Sequence, residues 1–235
     1  MFDSSALRAR LNVVRERLAR AADRAGRDPA SIRLVAVSKT FSAEHVRAAV
    51  DAGQIDFGEN KVQEAIDKMD RTADLSIRWH LIGHLQTNKA NKAGARFQTI
   101  HSVDDPELGA RLDRAASAAG RPLELLVQVD LAGETTKHGA REDALTAIFQ
   151  AARNWTTARV AGLMLLPPAA EDPEASRPYF RELRAVRARL LARGADRSML
   201  TELSMGMSHD FDVAVEEGAT LVRVGTAIFG SRTHV

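Results

Sequence analysis

The residue with the most chemical potential is Lys39. It closes the run IRLVAVSK, in which Val35, Val37 and Lys39 fall on one parity. Period-two spacing sends all three to the same face of a strand. A lysine beside two valines has two readings. Its stem lies along apolar surface with the amine in water, or it offers a partly desolvated, neutral amine that can form a Schiff base. Two later segments bear on the choice. Ser204-Met205-Gly206-Met207-Ser208 and Arg223-Val224-Gly225-Thr226-Ala227 each pair glycine with a hydroxyl residue. Glycine lets backbone N–H groups approach an anion, and hydroxyls add donors. Either turn alone is an ordinary cap. Both together, after the last two strands, suggest a phosphate site. Phosphate opposite an inward lysine leaves two classes, a phosphosugar or aldol-type lyase and a pyridoxal phosphate protein. Arg223 discriminates between them. Set against a pyridine nitrogen, it would donate a hydrogen bond and leave the ring a weak electron sink. Turned outward, it would pair with Glu216 or Glu217 instead. From this residue alone both readings stand.

Other residues say less. Asn60 suits a helix cap or a bond to a cofactor oxygen. Met164 reads first as core. His80 and His84 bracket a strand that leaves into a loop, with no carboxylate signature nearby, so no metal is expected. Lys137-His138-Gly139 reads as a solvated turn at the rim.

Short β-prone runs alternate with amphipathic stretches along the chain, the mark of a parallel α/β fold. The runs are 32–39, the brief IDFGEN, 77–83, 97–103, 123–131, 158–166, 198–204 and 220–225. Eight such units in 235 residues predict a compact (β/α)8 barrel. An open doubly wound sheet is the runner-up, but no GxGxxG follows the first strand. Function in such barrels sits at the C-terminal strand ends. Lys39, Asn60, His80, Met164, Ser204 and Arg223 all fall there on this reading. Ahead of the barrel, Leu7, Leu11, Val14 and Leu18 recur at helical spacing and predict an amphipathic helix ending near Gly26. The whole chain, 1–235, reads as one domain, with 1–27 packed on the barrel.

Composition excludes several classes. There is no cysteine, hence no disulfide, thiolate catalysis or thiolate-bound metal. Basic and acidic residues number 33 and 31, and the bases are scattered without neighbouring aromatics, so no nucleic-acid footprint is expected. No apolar run approaches membrane-spanning length and no secretory h-region opens the chain. A cytoplasmic protein with no membrane partner is expected.

The segments LVAVSKT, DAGQIDFGENKVQEA, WHLIGHLQTNK, QVDLAGETTKHG, GLMLLPP and LSMGMSHDFDVAVEEGATLVRVGTAIFGSR run in order over nearly the whole chain. On these motifs the sequence resembles the pyridoxal phosphate homeostasis protein family. The resemblance implies a fold like the N-terminal barrel of alanine racemase (fold type III). It implies pyridoxal 5′-phosphate (PLP) bound as an internal aldimine on Lys39. Ser208, Gly225 and Thr226 would hold the phosphate, Arg223 would face the pyridine nitrogen, and Asn60 and Met164 would lie near the ring. Ser204 is carried over with them. It further implies storage, buffering or delivery of PLP without established turnover, with apo PLP-dependent enzymes as recipients at the barrel mouth. The alternative is a low-activity amino-acid racemase. Racemases of this fold draw a second base, a tyrosine, from an added domain across a dimer. The sole tyrosine here, Tyr179, falls in the helix after strand six, and a monomer is expected. Two departures from the family pattern stand out. Lys61 replaces a frequent aromatic in GEN-x-VQE, and His138 occupies the variable place in KxG.

Overall fold

The computed structural model describes residues 3–133 and 138–231. Eight parallel strands close in sequence order, β1 pairing with both β2 and β8. They are β1 (Arg33–Val37), β2 (Asp56–Glu59), β3 (Arg78–Leu81), β4 (Thr99–Val103), β5 (Leu123–Gln128), β6 (Ala158–Met164), β7 (Glu202–Met207) and β8 (Leu221–Val224). The nine helices of the described residues are α1 (Ser4–Arg24), α2 (Ala43–Asp51), α3 (Val62–Arg71), α4 (Ala90–Arg96), α5 (Pro106–Ala118), α6 (Glu142–Ala152), α7 (Arg177–Ala192), α8 (Phe211–Glu216) and α9 (Thr226–Phe229). The alternation read from the sequence is therefore the barrel itself.

Strand seven departs most from expectation. The alternation placed it from Ser198, yet Asp196 accepts a hydrogen bond from the Ser198 amide and sets a 3-10 turn over Arg197–Leu200. A short side-chain acceptor competing locally for the backbone ends extended structure there. The strand instead begins at Glu202 and runs through Met207. Ser204, expected at the strand end, consequently lies mid-strand and buried.

The apolar residues sort onto two faces. Ala36, Phe57, Leu81, Ile100, Leu203 and Val222 belong to the large cluster shared with the helices. Leu126, Ala161 and Met164, with half-buried Leu166, form a separate small cluster. Val35, Val37 and Leu221 are buried outside both clusters, and a file of polar side chains also crosses the interior, as shown below. α1 adds a layer over the closure of the barrel. Asp3 caps it by accepting from the amides of Ser5 and Ala6, a device worth about 1 kcal/mol. Leu7, Leu11, Val14 and Leu18 are buried as the helix packs on α8, α9 and α2. Each large side chain so buried contributes roughly 1.5–3 kcal/mol. Arg10 Nε donates to the Ile228 carbonyl at 2.8 Å and Arg17 pairs with Asp212, fixing the helix beside β8.

Candidate functional site

A cavity of about 430 Å³ opens at the C-terminal ends of the strands. Lys39, Asn60, Ser208, Arg223, Gly225 and Thr226 line it together with Gly83 and Leu166. These are six of the positions singled out in the sequence, converging from β1, β2, β7 and β8. Met164 and Ser204 are not in the lining. Met164 is fully buried beneath it, against Leu166, and Ser204 is fully buried under Arg223. The volume suits a small organic molecule.

Lys39 is set by a knot of charge behind the cavity. The Lys68 ammonium, on α3, donates to the Ser38 carbonyl at 2.7 Å, to Glu59 Oε1 at 2.7 Å and to Glu64 Oε1 at 2.9 Å. The Ser38 hydroxyl donates to the same Glu59 oxygen at 2.6 Å, and Glu64 accepts from the Thr40 amide. The backbone on both sides of Lys39 is thereby tied down. Thr40 has φ 71°, in the left-handed region, which is unfavourable for a β-branched residue and costs about 1–3 kcal/mol. Glu64, bonded to its amide, holds that conformation. Burial pushes the Glu59 carboxyl above its ordinary value, against the pull of Lys68.

Arg223 ends a file of polar side chains through the barrel. Its guanidinium donates to Ser204 Oγ and, at 2.8 Å, to the Leu165 carbonyl. His101 Nδ1 lies 2.9 Å from Ser204 Oγ. His101 Nε2 lies 3.0 Å from His80 Nδ1, and His80 Nε2 lies 2.9 Å from Asp56 Oδ1. Arg78 closes the file with two bonds to Asp56. The direction of donation is determined. Burial alone would raise the Asp56 carboxyl, but bonds from His80 and Arg78 outweigh it and hold it below its usual range. As a carboxylate it can only accept, so His80 donates from Nε2. Burial lowers the pKa of His80, and lowers that of His101 well below the ordinary value, with His80 and Arg223 adding to the effect. Both rings are thus neutral at pH 7. His80 Nδ1 accepts from His101 Nε2–H, and His101 Nδ1 accepts from the Ser204 hydroxyl, which accepts from Arg223. From Arg223 to Asp56 every bond runs one way, and Arg78 donates to Asp56 from the other end. The bond between β4 and β7 crosses the barrel interior, since those strands are not neighbours. Burial pushes Arg223 down to about 10, leaving it a cation and a pure donor at neutral pH. The outward reading of Arg223 is excluded: Glu216 and Glu217 pair with Arg24, Arg177, Arg181 and Arg184.

On the other side of the cavity, the amides of Gly225 and Ala227 converge on Ser208 Oγ at 3.0 and 3.4 Å. Converging backbone N–H groups form an anion-binding concavity. Asp210 shapes the approach by accepting from the Met207 amide at 2.7 Å and the Ser176 hydroxyl at 2.8 Å. Gly206, with φ 91°, lets the chain pass α8, where a Cβ would stand 2.5 Å from that of Ala214. Asn60 Oδ1 is buried with no hydrogen-bond partner among the described residues. Such an acceptor fits a ligand donor or a bound water.

Sequence reasoning missed Asp56, Glu59, Glu64, Lys68 and His101. Lys68 carried a signal, because it shares the apolar face of α3 with Val62, Ala65 and Met69. His80 and His84, considered as a pair, separate: His80 is buried in the file and His84 is exposed at the rim. Of the suspected rim turn, Lys137 lies outside the described residues.

The model of the alanine racemase N-terminal domain family matches residues 3–233, and this barrel with its mouth-facing lysine is of that class. The pyridoxal phosphate homeostasis protein of Aquifex aeolicus is 41% identical over 96% of this chain and 98% of its own length. That of Pseudomonas aeruginosa is 42% identical over 94% of each. Among solved structures, PipY of Synechococcus elongatus with PLP bound aligns at a TM-score of 0.84 and 40% identity, covering 95% of this chain and all of that one. The chain belongs to the pyridoxal phosphate homeostasis protein family.

Proposed function

We propose that the cavity holds PLP through Lys39 Nζ, and that the protein stores or delivers the cofactor in PLP homeostasis instead of turning over a substrate. The observation that carries this reading is the convergence, on one cavity, of an amine, a buried donor-only arginine and a pair of inward backbone amides. The residues fit the group. Gly225, Ala227, Ser208 and Thr226 would hold its phosphate, Arg223 its ring nitrogen, and the Asn60 side-chain amide would donate to its ring oxygen. When bound, PLP supplies an aldehyde that condenses with an amine and a ring that accepts electrons. A ring nitrogen facing Arg223 receives a hydrogen bond but no proton, so the electron sink is weak and carbanion chemistry is disfavoured. Met164 and Ser204 act one layer down, under the ring and under Arg223.

The carrier reading also draws support from the lining. Among the described residues that line the cavity there is no carboxylate and no tyrosine. Tyr179 lies on α7, packed against the helix-side core. Besides Lys39, the acid–base group present is His209, and its Nε2 donates to the Glu171 carbonyl at 2.6 Å. Recipient enzymes would approach the rim where the cavity opens.

The test is the visible spectrum of the purified protein, followed by borohydride reduction and peptide mapping. A reducible band with the adduct on Lys39, absent in Lys39→Ala, is expected. An adduct solely on another lysine sinks the site assignment. Racemisation of alanine or serine at ordinary enzymatic rates, about 1–1,000 per second, sinks the carrier reading.

A further inference from the structure

At the rim, beyond the cavity lining, His84, Asp104 and His138 place ligand atoms that all lie within 4.8 Å of one another. We propose that these three side chains form a site for a divalent transition-metal ion of the Zn2+ class. Two imidazoles and one carboxylate are a donor set such ions favour, with remaining positions left to water or an external ligand. The three lie in the segments that follow β3, β4 and β5. His84 lies between Gly83, where a Cβ would stand 2.4 Å from the Asn60 carbonyl oxygen, and the buried Leu85. Asp104 follows the buried Val103 and precedes Asp105, which caps α5 by accepting from the Leu108 amide at 2.8 Å. The His138 carbonyl accepts from Gln128 Nε2, and Ala140 forms a bridge to Val129. Packing and hydrogen bonds thus anchor residues beside each ligand, and the His138 backbone directly.

The rings of His84 and His138 stack at 3.4 Å, 8° from parallel. Donors around a tetrahedral Zn2+ stand roughly 3.3–3.5 Å apart, given bond lengths of about 2.0–2.2 Å. Binding thus requires the rings to tilt apart and the carboxylate to close in. Both imidazoles are exposed and Asp104 is half-buried, so side-chain rotation accomplishes this without moving the backbone. Gly83 lines the cavity and precedes His84, so the ion would sit beside the entrance.

The site is tested by titrating the whole protein, with and without PLP, with Co2+ and Zn2+ against a competing chelator. One equivalent of Zn2+ and visible Co2+ ligand-field bands are expected in both forms. His84→Ala, His138→Ala and Asp104→Asn should each weaken binding by at least the roughly 10–100-fold that loss of an outer-shell partner costs. Circular dichroism and the PLP spectrum should be unchanged in each, showing that the fold persists. Absence of stoichiometric binding, or binding unaltered in the His84→Ala/His138→Ala double variant, overturns the proposal. Binding that appears only with PLP present also overturns it, since the cofactor would then be the chelator.

Discussion

At the N-terminal end of the barrel a cleft of about 350 Å³ is lined by Arg33, Asp56, Arg78, Glu202 and Thr220. Arg33 lies 3.1 Å from Glu202 and 3.7 Å from Glu124, Arg78 clasps Asp56 twice, and the Thr220 hydroxyl donates to Glu202. At the C-terminal end the cavity is of similar size, yet Asn60 Oδ1 has no partner among the described residues and the amides of Gly225 and Ala227 meet only a serine hydroxyl. The first cleft satisfies its own charges. The second leaves a buried acceptor without a partner and two amides sharing a single hydroxyl, which costs stability unless something enters. Size does not distinguish a binding site from a structural cleft here; unfinished hydrogen bonding does.

Breaking the knot behind Lys39 should give the largest effect. Lys68→Met leaves Glu59 and Glu64 without their cation, and loss of one partner of a buried pair costs about 3–5 kcal/mol. Urea denaturation measures it, and the reducible band should weaken as the Thr40 turn relaxes. Stability unchanged within about 1 kcal/mol would mean that the knot does not hold the mouth.

Next comes acid. His101 stays neutral in the folded barrel to well below the ordinary histidine value, whereas unfolded histidine titrates near 6.5. Below about pH 6.5 the unfolded chain takes up a proton that the folded chain refuses. His101 therefore lowers stability as the pH falls, by up to about 1.4 kcal/mol per unit. Denaturation of the protein and of His101→Gln between pH 7.5 and 5.5 isolates this term as the difference between their slopes. Equal slopes would refute a neutral, buried His101.

The two ends separate most sharply in a pair of smaller changes. Asn60→Ala should leave the melting temperature of the PLP-free protein unchanged or raised, and weaken PLP binding by about 1 kcal/mol, the worth of one hydrogen bond. Arg33→Met should do the reverse, lowering stability by under about 1 kcal/mol as for a partly exposed pair, with PLP affinity unaltered. Should both variants lose affinity equally, the contrast between the clefts fails.

Much of the mouth was legible in the sequence because it rests on local signals. Parity placed Lys39, glycine beside hydroxyls marked Ser208, Gly225 and Thr226, and the alternation of periods gave the barrel. The file from Asp56 to Arg223 was not legible. Its bonds join strands β2, β3, β4, β7 and β8, and no spacing along the chain encodes a contact across a barrel. His80 and Ser204 were noticed, but as strand-end residues, when their partners lie inside. Strand seven slipped because the alternation in SMLTELS looks extended until Asp196 captures the Ser198 amide. Glu59 and Glu64 drew no reading, since nothing local announces the buried lysine that unites them.

The seam between β1 and β8 has a consequence for synthesis. Lys39 is made well before Arg223, Gly225 and the amide of Ala227, and only the pairing of β1 with β8 brings them together. Contacts so distant in sequence form late and slowly. A chain that has emerged through β1 but not yet through β8 therefore presents the lysine without the amides and the guanidinium that face it across the cavity.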